Sequence, residues 1–241
     1  MDGTFVTELK NVLNDNMVIE VDGQTYVRGG YKPVFNDPRP APLTVHTLTA
    51  LRDYMKSNND DVNLKSAYIT VDNEWHVSLV TRVYGPQNER HTVITTSFDH
   101  IEPFNFGEWF DQETFLIKAR SLFVDTDDLM TVVEYASKVE IKNEATIDDD
   151  GVTQSASVRM SASGALAEKK VAPSMVRLRP YRTFPEIDQP ESMFLFRLRR
   201  TGDAGVKFAL FEADGGAWKN TARQSIAEWL RKHEVIPFVL S

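Results

Sequence analysis

Apolar residues change their spacing along this chain, and the change near Lys138 marks its clearest internal division. Before that point Phe5, Val6, Leu9, Val12 and Leu13 recur at intervals of three and four, the stripe of a short amphipathic helix with Thr4 as N-cap. Residues 17–21 and 24–28 flank Asp22-Gly23, a pair that accepts positive φ at low cost, and so predict a two-residue hairpin. Gly29-Gly30 breaks the second strand, and Pro33, Pro38, Pro40 and Pro42 predict a loop over 31–42. Val45, Leu48, Leu51 and Met55 restart a helical stripe after Thr44, which ends at 58–61. Residues 67–71, 75–83 and 91–98 read as an antiparallel meander with turns at Asp72-Asn73 and 85–89. Two helices follow, capped by Asp111 and Thr126. Phe115, Leu116, Ala119 and Leu122 form the inner face of the first, and Leu129, Val132, Val133 and Ala136 that of the second.

Beyond Lys138 alternation takes over. Residues 139–147, 152–160, 175–181, 193–199 and 206–211 predict strands, with a turn at 148–151. Asp214-Gly215-Gly216 stops the run, a last helix carries Trp218, Ala222, Ile226, Trp229 and Leu230, and residues 235–240 close the chain as a strand. Trp218, Ile226, Trp229 and Leu230 are expected in the core. The predicted class is α+β: antiparallel sheets with flanking helices and a β-rich second half. Its predicted organisation is an N-terminal part over 1–105 and a C-terminal part over 106–241, or one continuous domain.

Composition fits this picture. The chain has 241 residues, 41% apolar and 26% charged, with a formal charge of −8, as in ordinary soluble proteins. A chain this long buries about 70% of its unfolded surface. The absence of cysteine excludes disulfides, thiolate zinc sites, iron–sulfur clusters and cysteine nucleophiles, and it fits a reducing compartment. No run approaches the ~18 apolar residues of a membrane span. Asp2, Glu8 and Asp15 near the N-terminus do not suit a signal peptide, so neither a membrane nor a secretory route is expected.

Catalytic motifs are scarce. Among His46, His76, His91, His100 and His233, none lies three or four residues from another, although His76 and His91 could meet across the meander as a two-histidine site. His233-Glu234 begins a zinc-protease helix motif, but Pro237 stands where the second histidine belongs. With Gly151 at position six of a calcium loop, Thr146 and Ser157 fall where acids are required, so 148–151 is better read as a turn. There is no phosphate loop, dinucleotide fingerprint or nucleophile elbow. No catalytic residue, metal or cofactor is assigned, and a hydrolytic site assembled by the fold has the least support.

Charge placement is more informative. Between Lys169 and Arg200 eight basic residues stand against three acids, an excess of five positive charges, so the rest of the chain carries an excess of thirteen negative ones. Alternation places Arg177 and Arg179 on one face of a strand and Arg197 and Arg199 on one face of the next. If those strands are neighbours, four guanidinium groups lie together on a solvent face, with Arg182 and Arg200 beside them. Three readings follow: an ordinary solvated face, an anion- or nucleic-acid-binding face, or a face that docks an acidic patch of another subunit.

Five segments also carry a likeness. Phe123-Val124 with Thr126-Asp127-Asp128-Leu129, Asp149-Asp150-Gly151-Val152-Thr153-Gln154, Leu178-Arg179-Pro180-Tyr181-Arg182-Thr183-Phe184-Pro185-Glu186, Gln189-Pro190-Glu191-Ser192 and Leu210-Phe211-Glu212-Ala213-Asp214-Gly215-Gly216-Ala217-Trp218 resemble, in order, the YfdQ-like family of phage and prophage proteins. The resemblance covers roughly residues 120–232. It implies a phage or prophage origin and residence in the host bacterial cytoplasm or in a particle assembled there, and it brings no catalytic residues. The expected role is that of a non-enzymatic accessory protein acting by self-association as a homo-oligomer, or by binding a host or phage protein. The alternative is association with nucleic acid in phage replication or recombination.

Overall fold

The computed structural model describes residues 4, 18–21, 24–27, 32–34, 40–85, 88–99, 102–139, 148–149, 154–158, 168–201, 205–233 and 238–241. The fold is α+β, with helices and mostly antiparallel sheets mixed along the chain. It divides into two compact units, Met1–Ala41 and Pro42–Ser241, so residues 105 and 106 both lie inside the second.

In the first unit β1 (Val18–Val21) and β2 (Gln24–Val27) pair antiparallel around residues 22–23, as the hairpin expectation has it. Part of the predicted 31–42 loop is a third strand, β3 (Lys32–Val34), with Pro33 opposite Tyr26. Proline is tolerated there because β3 is an edge strand. The predicted helix over 5–13 lies outside the described residues.

The second unit contains two hydrophobic cores. The first is built on a five-stranded sheet in the order β14-β5-β6-β7-β4. Its centre is the expected meander: β5 (Tyr68–Asn73), β6 (His76–Val80) and β7 (Thr92–Ser97). The first turn falls at Glu74-Trp75, not at Asp72-Asn73, because Asn73 still pairs with His76 after a register shift. The outer strands β4 (Leu43–Val45) and β14 (Val239–Leu240) run parallel to their neighbours. Val45 thus belongs to a strand, and α1 (Leu48–Ser57) starts later than predicted. Its N-cap is Thr47, whose hydroxyl accepts from the Ala50 N–H, and Asn58 ends it in the left-handed region at φ 42°.

Cross-strand register puts Ile69, Val71, Val77, Leu79, Ile94 and Thr96 on one face of this sheet, and all are buried. Leu48, Leu51 and Met55 of α1 pack in the same core as Ile226, Ala227 and Leu230 of α4 (Trp218–Lys232). The other face presents Thr70, Ser78 and Thr95 in one polar row.

The second core lies under β11 (Met175–Leu178), β12 (Ser192–Arg200) and β13 (Val206–Glu212). Alternation sends Val176, Leu178, Phe194, Phe196, Leu198, Val206, Phe208 and Leu210 inward. Against them pack α2 (Gln112–Leu122) and α3 (Asp127–Lys138), capped as predicted by Asp111 and Thr126. Phe196 stands at the centre, stacked 6.0 Å from Phe208 and 5.7 Å from Phe115. Short strands β8 (Asp148–Asp149), β9 (Gln154–Val158) and β10 (Glu168–Val171) form a separate antiparallel sheet. Asp148 and Asp149 therefore belong to a strand and not to the predicted turn. Among the described residues β8–β14 outweigh a single helix after Lys138, which is the predicted β-rich half.

One core expectation changes. Trp218, Ile226 and Leu230 are buried, but Trp229 is only partly covered and lies beside His233, with ring centroids 4.0 Å apart. Phe196→Ala should therefore cost about 3–5 kcal/mol and Trp229→Ala only about 1–2 kcal/mol, compared by urea denaturation. Equal losses would contradict these positions.

Candidate functional site

The arginines predicted from alternation separate into three places. Strands β11 and β12 are neighbours and antiparallel, but Arg177 pairs opposite Met193 while Arg197 pairs opposite Ala209 of β13. Four positions on β12 separate the two sites, about 13 Å along the strand. The four guanidinium groups therefore do not form one cluster. Arg177 lies 3.9 Å from Glu191, and its backbone N–H donates to Asp128 of α3. Arg179 lies beyond the end of β11, where its Nε donates to the Gln189 carbonyl and its guanidinium approaches Asp188.

At the far end of the same sheet Arg197, Arg199 and Arg200 approach the start of β13. Arg199 stands directly opposite Lys207, and Arg197 lies diagonally across from it. Arg199 also stacks on Trp109 at 4.5 Å, and Trp109 meets Phe211 edge-on at 6.0 Å. Trp109 is held here because Phe110 bridges to Phe208, so that the preceding loop runs along the edge of β13. The outer face of this sheet thus presents Met175, Met193 and Leu195 with cations at both ends. Met175, Arg177 and Arg199 are exposed.

Arg182 takes a third course. It enters the seam between the two cores, where its guanidinium covers the Trp218 ring at 3.8 Å. Its Nη1 donates to Glu212 Oε1 at 2.6 Å and its Nη2 to the Ser192 hydroxyl. Burial pushes its pKa down to about 10, against the opposing pull of Glu212 and Asp214, so it stays charged at neutral pH. Ser192 in turn donates to Asp214 Oδ2 at 2.7 Å, while Asp214 Oδ1 accepts the Gly216 N–H in the turn before α4. Gly215 and Gly216 adopt φ of 63° and 80° there, a conformation glycine takes without strain.

The loop between β11 and β12 is organised by Gln189, which is buried. Its side-chain carbonyl accepts from the N–H groups of Arg182 and Thr183, and its amide donates to the carbonyls of Thr183 and Phe184. Held in this way, the loop inserts Phe184 and Ile187 into the first core and places Glu186 Oε1 on the Thr49 N–H at the start of α1. Thr183 donates to the Glu74 carbonyl, and Trp75 Nε1 donates to the Arg182 carbonyl. The Glu74 side chain is 3% exposed and is shared by Lys219 at 3.4 Å and Arg223 at 3.2 Å. Burial alone would raise its pKa, but a backbone N–H and these two cations together hold it below the usual value. The same balance holds Asp214 low: burial opposes, and Ser192, the N–H groups of Gly216 and Trp218, and Arg182 prevail.

Beside this network lies a cavity of about 420 Å³, walled by Trp75, Phe98, Phe104, Phe106 and Trp218 and edged by Arg182, Glu212 and Lys219. The two predicted histidines do not meet. His76 pairs with Ser97 at one end of the β6–β7 ladder, and His91 lies opposite Thr81 at the other. Among the described residues no group of three or more histidines, aspartates or glutamates could hold a metal ion, and no helix is long and apolar enough to cross a membrane. Comparison with protein-family models, curated proteins and solved structures finds no match to this chain.

The seam was hidden in the sequence because its charges come from four separate segments. The register of β12 against β13 was closer to reach: counting across the loop after Arg200 places Lys207 opposite Arg199. Trp109 gave no such signal, since only the path of its loop brings it to the sheet.

Because Glu74 and Asp214 titrate lower in the folded protein than in the unfolded one, each adds stability that is complete above about pH 5 and lost as pH falls through the folded value. Asp214→Asn should lower stability at neutral pH and flatten its decline below about pH 4, followed by urea midpoints against pH. An unchanged acid slope would contradict this.

Proposed function

We propose that the protein is a non-enzymatic accessory protein of phage or prophage type that acts through contact between copies of its own chain. The docking surface in this reading is the cationic end of the β11–β13 sheet. The observation that carries it is the direct opposition of Arg199 and Lys207. Like charges facing each other across a ladder destabilise an isolated sheet, and an acidic surface laid over them reverses the sign of that effect. The chain carries charge of the complementary sign, since the residues outside 169–200 have an excess of thirteen negative charges. The phage assignment rests on the resemblance to the YfdQ-like family.

A second reading is favoured by one feature. Arg199 on Trp109, with Phe211 next to them, forms a cation–aromatic strip of the kind that holds single-stranded nucleic acid by phosphate contact and base stacking.

The double substitution Arg199→Glu/Lys207→Glu separates the two. Under the first reading, sedimentation velocity shows the wild-type chain as an oligomer and the variant as a monomer, with no DNA binding by either. Under the second, oligomer size is unchanged, DNA binding weakens for every sequence, and the log–log salt slope falls by about 0.7 per lost phosphate contact. A monomeric wild type that binds no DNA contradicts both.

A further inference from the structure

The cavity beside the seam has a chemistry that the sheet face does not share. Its walls are aromatic rings: Trp75 and Trp218 are in tilted contact, centroids 6.5 Å apart and planes at 53°, and Phe104 meets Phe106 at 5.3 Å. Its volume of about 420 Å³ lies in the range of small-molecule sites, which combine apolar walls with a few directed polar groups.

The polar groups on its edge differ in how far they are committed. Glu212 is held by Arg182 at 2.6 Å, and Arg182 is spent on Glu212, Ser192 and the Trp218 ring. Lys219 is different. Its side chain is 46% exposed, its ammonium lies 5.8 Å from both indole rings, and its acidic partner Glu74 is already met by Arg223 at 3.2 Å. An anion entering the cavity can therefore take Lys219 without leaving a buried carboxylate unpaired. A cation entering would have to compete with Arg182 and Lys219 for the ring faces and with Arg182 for Glu212. The position of Lys219 also has no helical explanation, because a cation in the first turn of α4 opposes the helix dipole.

We propose that this cavity is a binding site for a planar aromatic ligand bearing one anionic group, its ring packed against the aromatic walls and its carboxylate or phosphate on the ammonium of Lys219. The ligand is a small aromatic acid or a nucleoside monophosphate, which share this chemistry. The site uses no residue of the cationic sheet end, so it stands or falls apart from the self-association reading.

Titration calorimetry on the full chain tests it with two matched pairs: naphthoate against naphthamide, and thymidine monophosphate against thymidine. The anionic member of at least one pair should bind on the order of tenfold more tightly than its neutral partner, the effect of one charge-assisted hydrogen bond. The pair that discriminates identifies the carboxylate or the phosphate as the recognised group. Lys219→Met should abolish the preference and Lys219→Arg should keep it. The proposal is overturned if acid and neutral partner bind equally in both pairs, if no probe binds, or if the preference survives in Lys219→Met. The wild-type comparison decides the matter even if a variant fails to fold.

Discussion

The second unit is organised around one buried cation. A guanidinium taken from water needs charge and hydrogen-bond partners, and the two terminal nitrogens of Arg182 find them in Glu212 and Ser192, with its plane on the face of Trp218. Each partner then fixes something else. Ser192 begins β12 and ties Asp214 into the turn that starts α4. The Arg182 backbone is held by Gln189, and this shapes the loop that carries Phe184 and Ile187 into the neighbouring core. Glu186 in that loop meets the first turn of α1, and Thr183 reaches the turn between β5 and β6. Two sheets with separate apolar interiors are thereby locked through one polar seam.

How much of this the sequence shows depends on whether the information is local. Asp111 and Thr126 were legible as caps because a cap is decided within three residues, and the inward faces of β11–β13 were legible because alternation needs no partner. Strand β3 was missed because Pro33 argues against a strand until the edge position is known. Thr44 and Val45 looked helical because their spacing to Leu48 fits a stripe, whereas pairing with β7 overrides that spacing. Arg182 read as one more solvent-facing arginine, since nothing within its own segment shows that Glu212 and Trp218, thirty and thirty-six residues later, enclose it.

The two sites have opposite electrostatic designs. In the seam opposite charges are paired, Arg182 with Glu212 and Glu74 with both Lys219 and Arg223. At the end of β12 and β13, Arg199 and Lys207 stand face to face, a like-charge pairing that the ladder alone does not favour.

The central claim is that the Arg182 seam makes the two cores of the second unit open together. Residue-resolved amide exchange tests it directly, with Leu79 reporting the first core and Phe208 the second. The account predicts equal opening free energies for the two amides in the intact protein, and in Arg182→Met a lower and unequal pair. Unequal values in the intact protein, or values that stay equal in Arg182→Met, would contradict it.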